Sequence, residues 1–191
     1  MNELHQRIRQ GNWSLFLDRD GVLNVRPDCG YVLNPAHFQW ADGSLEALAK
    51  LKRVFQNIVV VTNQQGVGKG LMQTSDLEEI NREMLAGIRE AGGHVDRIYS
   101  ATGLRPSDSY RRKPGPGMAL EAMKDFPGIR LTRSIMVGDT FSDMLFGMRL
   151  GMVTVLIGPG DVPAAYRQVV DFRFASLGEF ANFMVKGIRN P

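Results

Sequence analysis

Two carboxylates two residues apart, Asp18 and Asp20, end a short apolar run and are followed at once by Gly21. On a chain leaving a strand, residues i and i+2 share a side, so both can face one point before Gly21 lets the backbone turn. Other runs end in comparable groups: Thr62-Asn63 before a glycine turn, Arg112-Lys113 before Pro114, and Asp139 with Asp143 close behind it. Together these residue types meet the needs of phosphoryl transfer. A carboxylate can attack phosphorus as a covalent nucleophile. A phosphate dianion repels it, so a cation must lie between them, and magnesium takes a few carboxylate oxygens. Asp18 and Asp139 can hold such an ion. Thr62 and nearby backbone N–H groups can bind the equatorial oxygens, while Lys113 neutralises growing charge. Asp20 can protonate the leaving oxygen and then deprotonate the attacking water.

These groups work only if the backbone brings them together. Short apolar runs at 14–17, 58–61, 97–99, 135–137 and 153–157 read as strands, with helical spacing between them. The segment 43–56 carries Leu45, Leu48, Leu51 and Phe55 on one face, and 76–90 carries Leu77, Ile80, Met84 and Ile88. Ser75 and Glu78 predict a capping box for the second of these, and Gly92-Gly93 its stop. Pro116 is expected in the first turn of a helix ending before Pro127, and Ser176 with Glu179 at the start of a last helix. Alternating strands and helices with nearly all-apolar strands predict an α/β fold, a Rossmann-like parallel sheet with helices on both faces. Ligands of such sheets bind beyond the carboxyl ends of the strands, where the groups above lie.

The chain has 191 residues, 43% hydrophobic and 23% charged, which is expected to form one domain over residues 1–191. Its net charge of +3 is too small and scattered to favour nucleic acid, and suits a small anionic substrate. No apolar run is long enough to span a bilayer, and the first residues lack a secretory signal's apolar middle. The single cysteine, Cys29, excludes an internal disulfide, so a reducing cytoplasm is the expected location, away from membranes. Nothing in the sequence gives an oligomeric state.

The ordered set DRDGVLN, VVVTNQQG, RRKPGPGM and MVGDTFSDM resembles the haloacid-dehalogenase (HAD) superfamily of phosphatases. It looks most like the branch of heptose-bisphosphate and histidinol-phosphate phosphatases. The resemblance spans about residues 15–157. It implies that Asp18 is the nucleophile and a magnesium ligand. Asp20 would be the general acid/base and a ligand through its backbone carbonyl, and Asp139 a further ligand. Thr62 and Asn63 would bind phosphate, Lys113 would stabilise the phosphoryl group, and Arg112 would reach the substrate. Asp143 would order the lysine or the metal's waters. Tyr31, in a Gly-Tyr-Val triplet shared with this branch, is a substrate candidate. Many members carry a zinc loop of three cysteines and a histidine, but here 100–110 contains neither residue, so zinc is not expected. Pro106, Tyr110 and the arginines are expected to order that loop instead. No cap domain is expected, because the segments between motifs are short. The implied activity is hydrolysis of a sugar bisphosphate, a heptose 1,7-bisphosphate on the way to surface polysaccharide. Arg105, Arg111 and Arg112 favour a second phosphate over an amine. Histidinol phosphate, a polynucleotide 3′-phosphate and non-catalytic phosphate binding remain as alternatives.

Other features carry less. Residues 66–70 miss P-loop spacing and read as a loop rimming the site, from which Lys69 can reach substrate. His5, His37 and His94 are isolated, Cys29 has no evident partner base, and Trp13 and Trp40 read as packing residues.

Overall fold

Strands that are apolar at almost every position need cover on both sides. The computed structural model describes residues 3–27, 30–105 and 107–189. Cys29 and Pro106 therefore lie outside the described residues. The elements run α1 (Glu3–Arg9), β1 (Ser14–Leu17), α2 (Ser44–Leu51), β2 (Asn57–Asn63), α3 (Gln65–Gly68), α4 (Thr74–Glu90) and β3 (Arg97–Ala101), then α5 (Gly117–Asp125), β4 (Ser134–Gly138), α6 (Phe141–Arg149), β5 (Val153–Ile157), β6 (Phe172–Phe174) and α7 (Leu177–Arg189). The six strands form one parallel sheet in the order β3-β2-β1-β4-β5-β6.

The two-residue period of the strands sorts the core into two layers. Leu15, Leu17, Val60, Val137 and Val155 point to the side covered by α1, α2, α4 and α7, where they meet Leu48, Ile88 and Phe180. Phe16, Val59, Val61 and Met136 point to the other side, where Met118 and Ala122 of α5 and Phe146 of α6 cover them. Burying each large apolar side chain contributes roughly 1.5–3 kcal/mol, which fixes both helix layers on the sheet.

This topology concentrates strand ends. The chain builds outward from β1 through β2 to β3, then returns to the other side of β1 for β4, making a topological switch at β1. Leu17 pairs with Val60 on one side and Val137 on the other. Asp18, Thr62 and Asp139 therefore leave neighbouring strands almost level with one another.

Several elements differ from expectation. β2 runs from Asn57 to Asn63, longer than the apolar run 58–61, and Thr62 and Asn63 close it. α4 begins at Thr74, and its capping carboxylate is Asp76, which accepts the Gln73 N–H at 2.7 Å; the Ser75–Glu78 box does not form. Gly92, at φ +77°, stops α4 as expected. Ser176 accepts the Glu179 N–H at 3.2 Å at the head of α7, also as expected. The sequence reading lacks α1, α3, α6 and β6; residues 66–70, expected as a loop, begin inside the short helix α3. β6 is three half-exposed residues on the sheet edge, too short to show a period. The described part of the 100–110 loop is ordered by Asp108, which accepts the Gly103 N–H, and by Ser107, which donates to the Leu104 carbonyl. Tyr110 instead points outward, 62% exposed.

Candidate active site

Asp18 is the first residue beyond β1, and its N–H still donates to the Val137 carbonyl at 2.9 Å, extending the β1–β4 ladder. Its carboxylate is buried, with Oδ1 accepting the Arg19 N–H at 2.8 Å and facing Lys113 Nζ at 2.9 Å. Burial pushes the Asp18 carboxyl up to about 7; Lys113 opposes that, while Asp143, Asp139 and Asp20 reinforce it. Lys113 is itself buried, and its ammonium also lies 2.6 Å from Asp143 Oδ1. Burial alone would depress the lysine's pKa, but the two carboxylates outweigh burial and raise it. Asp143 sits in the first turn of α6, where its other oxygen accepts the Thr140 N–H at 3.0 Å. The cap of α6 thus also holds the buried lysine.

The turn after β1 is closed by Val22, Leu23 and Asn24 N–H groups, all donating to the Arg19 carbonyl. Gly21 takes φ +91° there, and a side chain on it would overlap the Asp139 carboxylate. Only glycine allows the β1 turn and Asp139 to approach so closely. Asp20 is held by four donors: Arg19 Nη2 at 3.0 Å and Nε at 3.3 Å, Asn24 Nδ2 at 3.0 Å, and Gln64 Nε2 at 2.7 Å. Burial would raise its pKa, but the Arg19 charge and these hydrogen bonds outweigh burial and lower it, and the donors fix the side chain in place. Gln64 Nε2 also donates to Thr62 Oγ1 at 2.9 Å, which leaves the threonine O–H free to donate. Arg19, Asn24 and Gln64 are thus positioning residues that the sequence reading missed. Their place inside the DRDGVLN and TNQQG segments is the only signal for them.

Asn63 spans the β2–Lys113 gap. Its Oδ1 accepts the Lys113 N–H at 3.0 Å and its Nδ2 donates to the Lys113 carbonyl at 3.3 Å. Its amide fixes the lysine's backbone while bordering the cavity. That cavity, about 440 Å³, is lined by Asp18, Asp20, Arg26, Tyr31, Thr62, Asn63, Lys69, Arg112, Lys113 and Asp143 among others. Lys69 Nζ lies 5.2 Å from the Tyr31 ring centre. Arg112 has buried Nε and Nη1 without hydrogen-bond partners, and burial and Arg105 lower its pKa. Arg111, by contrast, turns away to pair with Glu121 at 2.7 Å, so it does not join a cationic cluster at the mouth.

Arg26 has no counterpart in the sequence reading. Its Nε and Nη2 fork onto Asp139 at 2.7 and 2.6 Å, and Nη2 also donates to the Asp20 carbonyl at 2.8 Å and lies 3.6 Å from Asp18 Oδ2. The expected ligand groups on Asp18, Asp20 and Asp139 therefore converge on one cationic position. One oxygen each from Asp18, Asp139 and Asp143 also lie within 4.8 Å of one another. An all-oxygen donor set of this kind fits a hard divalent cation such as magnesium. Burial raises the Asp139 carboxyl pKa, opposed by Arg26.

A parallel sheet whose central strand ends in Asp-x-Asp, faced by a buried lysine and a second aspartate, is the arrangement of HAD-type phosphatases. A HAD-hydrolase-like family model matches residues 110–172. A D-glycero-α-D-manno-heptose-1,7-bisphosphate 7-phosphatase of Mycobacterium bovis is 37% identical over 170 residues, covering 88% of this chain and 90% of its own. A D-glycero-β-D-manno-heptose-1,7-bisphosphate 7-phosphatase of Helicobacter pylori is 32% identical over 166 residues, 85% of this chain and 94% of its own. Among solved structures, the D,D-heptose 1,7-bisphosphate phosphatase of B. bronchiseptica, complexed with magnesium and phosphate, superposes with a TM-score of 0.82 at 28% identity, covering 91% and 98% of the two chains. The chain belongs to the D-glycero-D-manno-heptose-1,7-bisphosphate 7-phosphatase family and is a phosphatase of the HAD superfamily.

Proposed function

We propose that this chain removes the 7-phosphate of D-glycero-D-manno-heptose 1,7-bisphosphate, with Asp18 as the phosphoryl acceptor. The observation that carries the mechanism is the Asp18 carboxylate, bordering the cavity with Lys113 Nζ at 2.9 Å and a cation position beside its other oxygen. An ionised carboxylate in so buried a place needs cationic neighbours. Magnesium, held by Asp18, Asp139 and the Asp20 carbonyl, would screen the nucleophile from the phosphate it attacks. Asp18 attacks phosphorus, the P–O ester bond breaks, and Asp20 delivers a proton to the leaving oxygen. Asp20 then takes a proton from water, which attacks phosphorus, breaks the bond to Asp18 and frees phosphate. Thr62, its O–H left free to donate by the Gln64 bond, and the Lys113 ammonium hold the phosphoryl oxygens. Asn63 keeps the lysine's backbone in place. Asp143 holds the lysine's charge where the phosphoryl group forms.

The bisphosphate reading is supported by the relatives and by Arg112, whose buried donors lack partners at the cavity wall. A second phosphate can pair with the Arg112 guanidinium, which lines the cavity, and Lys69 beside Tyr31 adds charge on the same cavity. Histidinol phosphate would instead bring an ammonium toward that arginine. The product of 7-phosphate removal, a heptose 1-phosphate, suits precursor synthesis for surface polysaccharide. Residues 1–191 act as one domain, without a cap, in the cytoplasm. Among the described residues no helix is long and apolar enough to cross a membrane. Phosphate release from the α and β anomers of heptose 1,7-bisphosphate and from histidinol phosphate, with magnesium or EDTA, tests the assignment. Magnesium-dependent turnover of an anomer, exceeding that of histidinol phosphate by about 10²-fold or more, is expected from the unpaired donors that an amine leaves behind. Rapid histidinol-phosphate turnover with inert heptose bisphosphates would overturn it.

A further inference from the structure

Arg26 belongs to none of the motif segments, yet it makes the closest cationic contacts to Asp139. Its guanidinium touches the oxygen sources proposed for the divalent ion: both Asp139 carboxylate oxygens, the Asp20 carbonyl, and Asp18 Oδ2. Magnesium draws its ligand oxygens to about 2.0–2.1 Å and demands near-octahedral order around itself. A guanidinium forked onto the same oxygens fills that volume and places a like charge within a few ångströms. The two occupants exclude each other. Arg26 is also placed to leave, because its side chain is 46% exposed while Asp18 beneath it is 8% exposed. It lies over the carboxylates from the solvent side rather than being enclosed with them. Lys113, in contrast, is 1% exposed and holds the opposite flank of Asp18.

We propose that Arg26 is a built-in counter-cation that competes with the divalent ion for this site, so that metal binding must displace it and its presence sets the metal affinity. The inference rests on the metal site of the preceding section. It makes Arg26 a residue that determines how much magnesium the phosphatase requires, acting through the ligands rather than on the reacting atoms.

The test is calorimetric titration of the full chain with magnesium chloride, with thermal unfolding in EDTA and at saturating magnesium. Arg26→Gln is expected to bind magnesium about tenfold or more tightly, because it removes both the competing contacts and the like charge. In EDTA the variant is expected to melt below the wild type, its carboxylates having lost their counter-charge, and its rise in Tm on adding magnesium should be the larger. Arg26→Lys, which keeps the charge but loses the fork, should fall between the two and serves if the glutamine variant folds poorly. Equal or weaker magnesium binding by the variants would overturn the proposal while leaving the metal site standing. No magnesium binding by either wild type or variants would overturn the site itself and the competition with it.

Discussion

Asp18→Asn is expected to lower magnesium-dependent phosphate release by about 10⁴-fold or more, the scale of loss when a nucleophile is removed from a unit that acts together. The amide matches the carboxylate in shape but cannot attack phosphorus. Loss of activity should come without loss of the fold. Burial raises the Asp18 carboxyl to about 7, from an ordinary value of 3.8, so its ionised form is costly in the folded chain. A group with a raised folded pKa contributes stability that is present below its unfolded pKa and lost as pH rises through the folded one. In EDTA, wild-type stability should therefore fall between about pH 4 and pH 7 by a component that Asp18→Asn lacks. The variant's Tm relative to wild type should rise across that window and then level off. Thermal unfolding at several pH values checks this. A variant that is inactive because it is unfolded would show no cooperative transition at any of these pH values.

Lys113→Met is expected to damage both properties. The ammonium is buried between Asp18 and Asp143, at 2.9 and 2.6 Å, and methionine of similar length leaves those carboxylates facing each other. Removing one partner of a buried ion pair costs about 3–5 kcal/mol. At about 2–4 °C per kcal/mol for a chain of this size, Tm should fall by roughly 10 °C. Activity should fall by at least about 10²–10³-fold, as for loss of one group that stabilises transition-state charge. Because Lys113 holds the Asp18 pKa down, its loss lets Asp18 protonate more readily, and the destabilisation should shrink as pH falls. Circular-dichroism melts at two pH values, beside steady-state kinetics, measure all of this. A Tm unchanged at pH 8 would contradict the buried ion-pair network.

The contrast between these residues and Arg26 explains what the sequence could reveal. Asp18, Thr62 and Asp139 were legible because each stands at the end of an apolar strand, and a parallel sheet sends all such ends to one rim; Lys113, in the loop between β3 and α5, was legible only through the motif around it. Asp143 was legible from its spacing behind Asp139, and its place beside the lysine from the resemblance; that one carboxylate caps α6 and holds the lysine at the same time was not. Arg26 sits in irregular backbone, and its contact with Asp139 spans 113 positions of chain, so no local pattern announces it. Arg111 looked like a partner for Arg112 because the two are adjacent. Adjacency does not fix direction outside regular structure, and Glu121 on α5 draws Arg111 away. α6 escaped notice because its first turn is the motif itself, and Gly147, a poor helix residue, sits inside it. Gly147 is there because a side chain would press on Thr154 and Met136 beneath.

If Asp18 carries the phosphoryl group, the phosphoaspartate can be trapped. Enzyme with magnesium and heptose 1,7-bisphosphate is quenched in acid during turnover and reduced with borohydride, which converts an acyl phosphate to the alcohol. Mass spectrometry of the peptides then locates the change. Homoserine is expected at position 18 and nowhere else, and is expected to be absent without substrate or with EDTA. Reduction at another carboxylate, or full turnover with no trapped carboxylate under conditions where Asp18→Asn remains active, would contradict it.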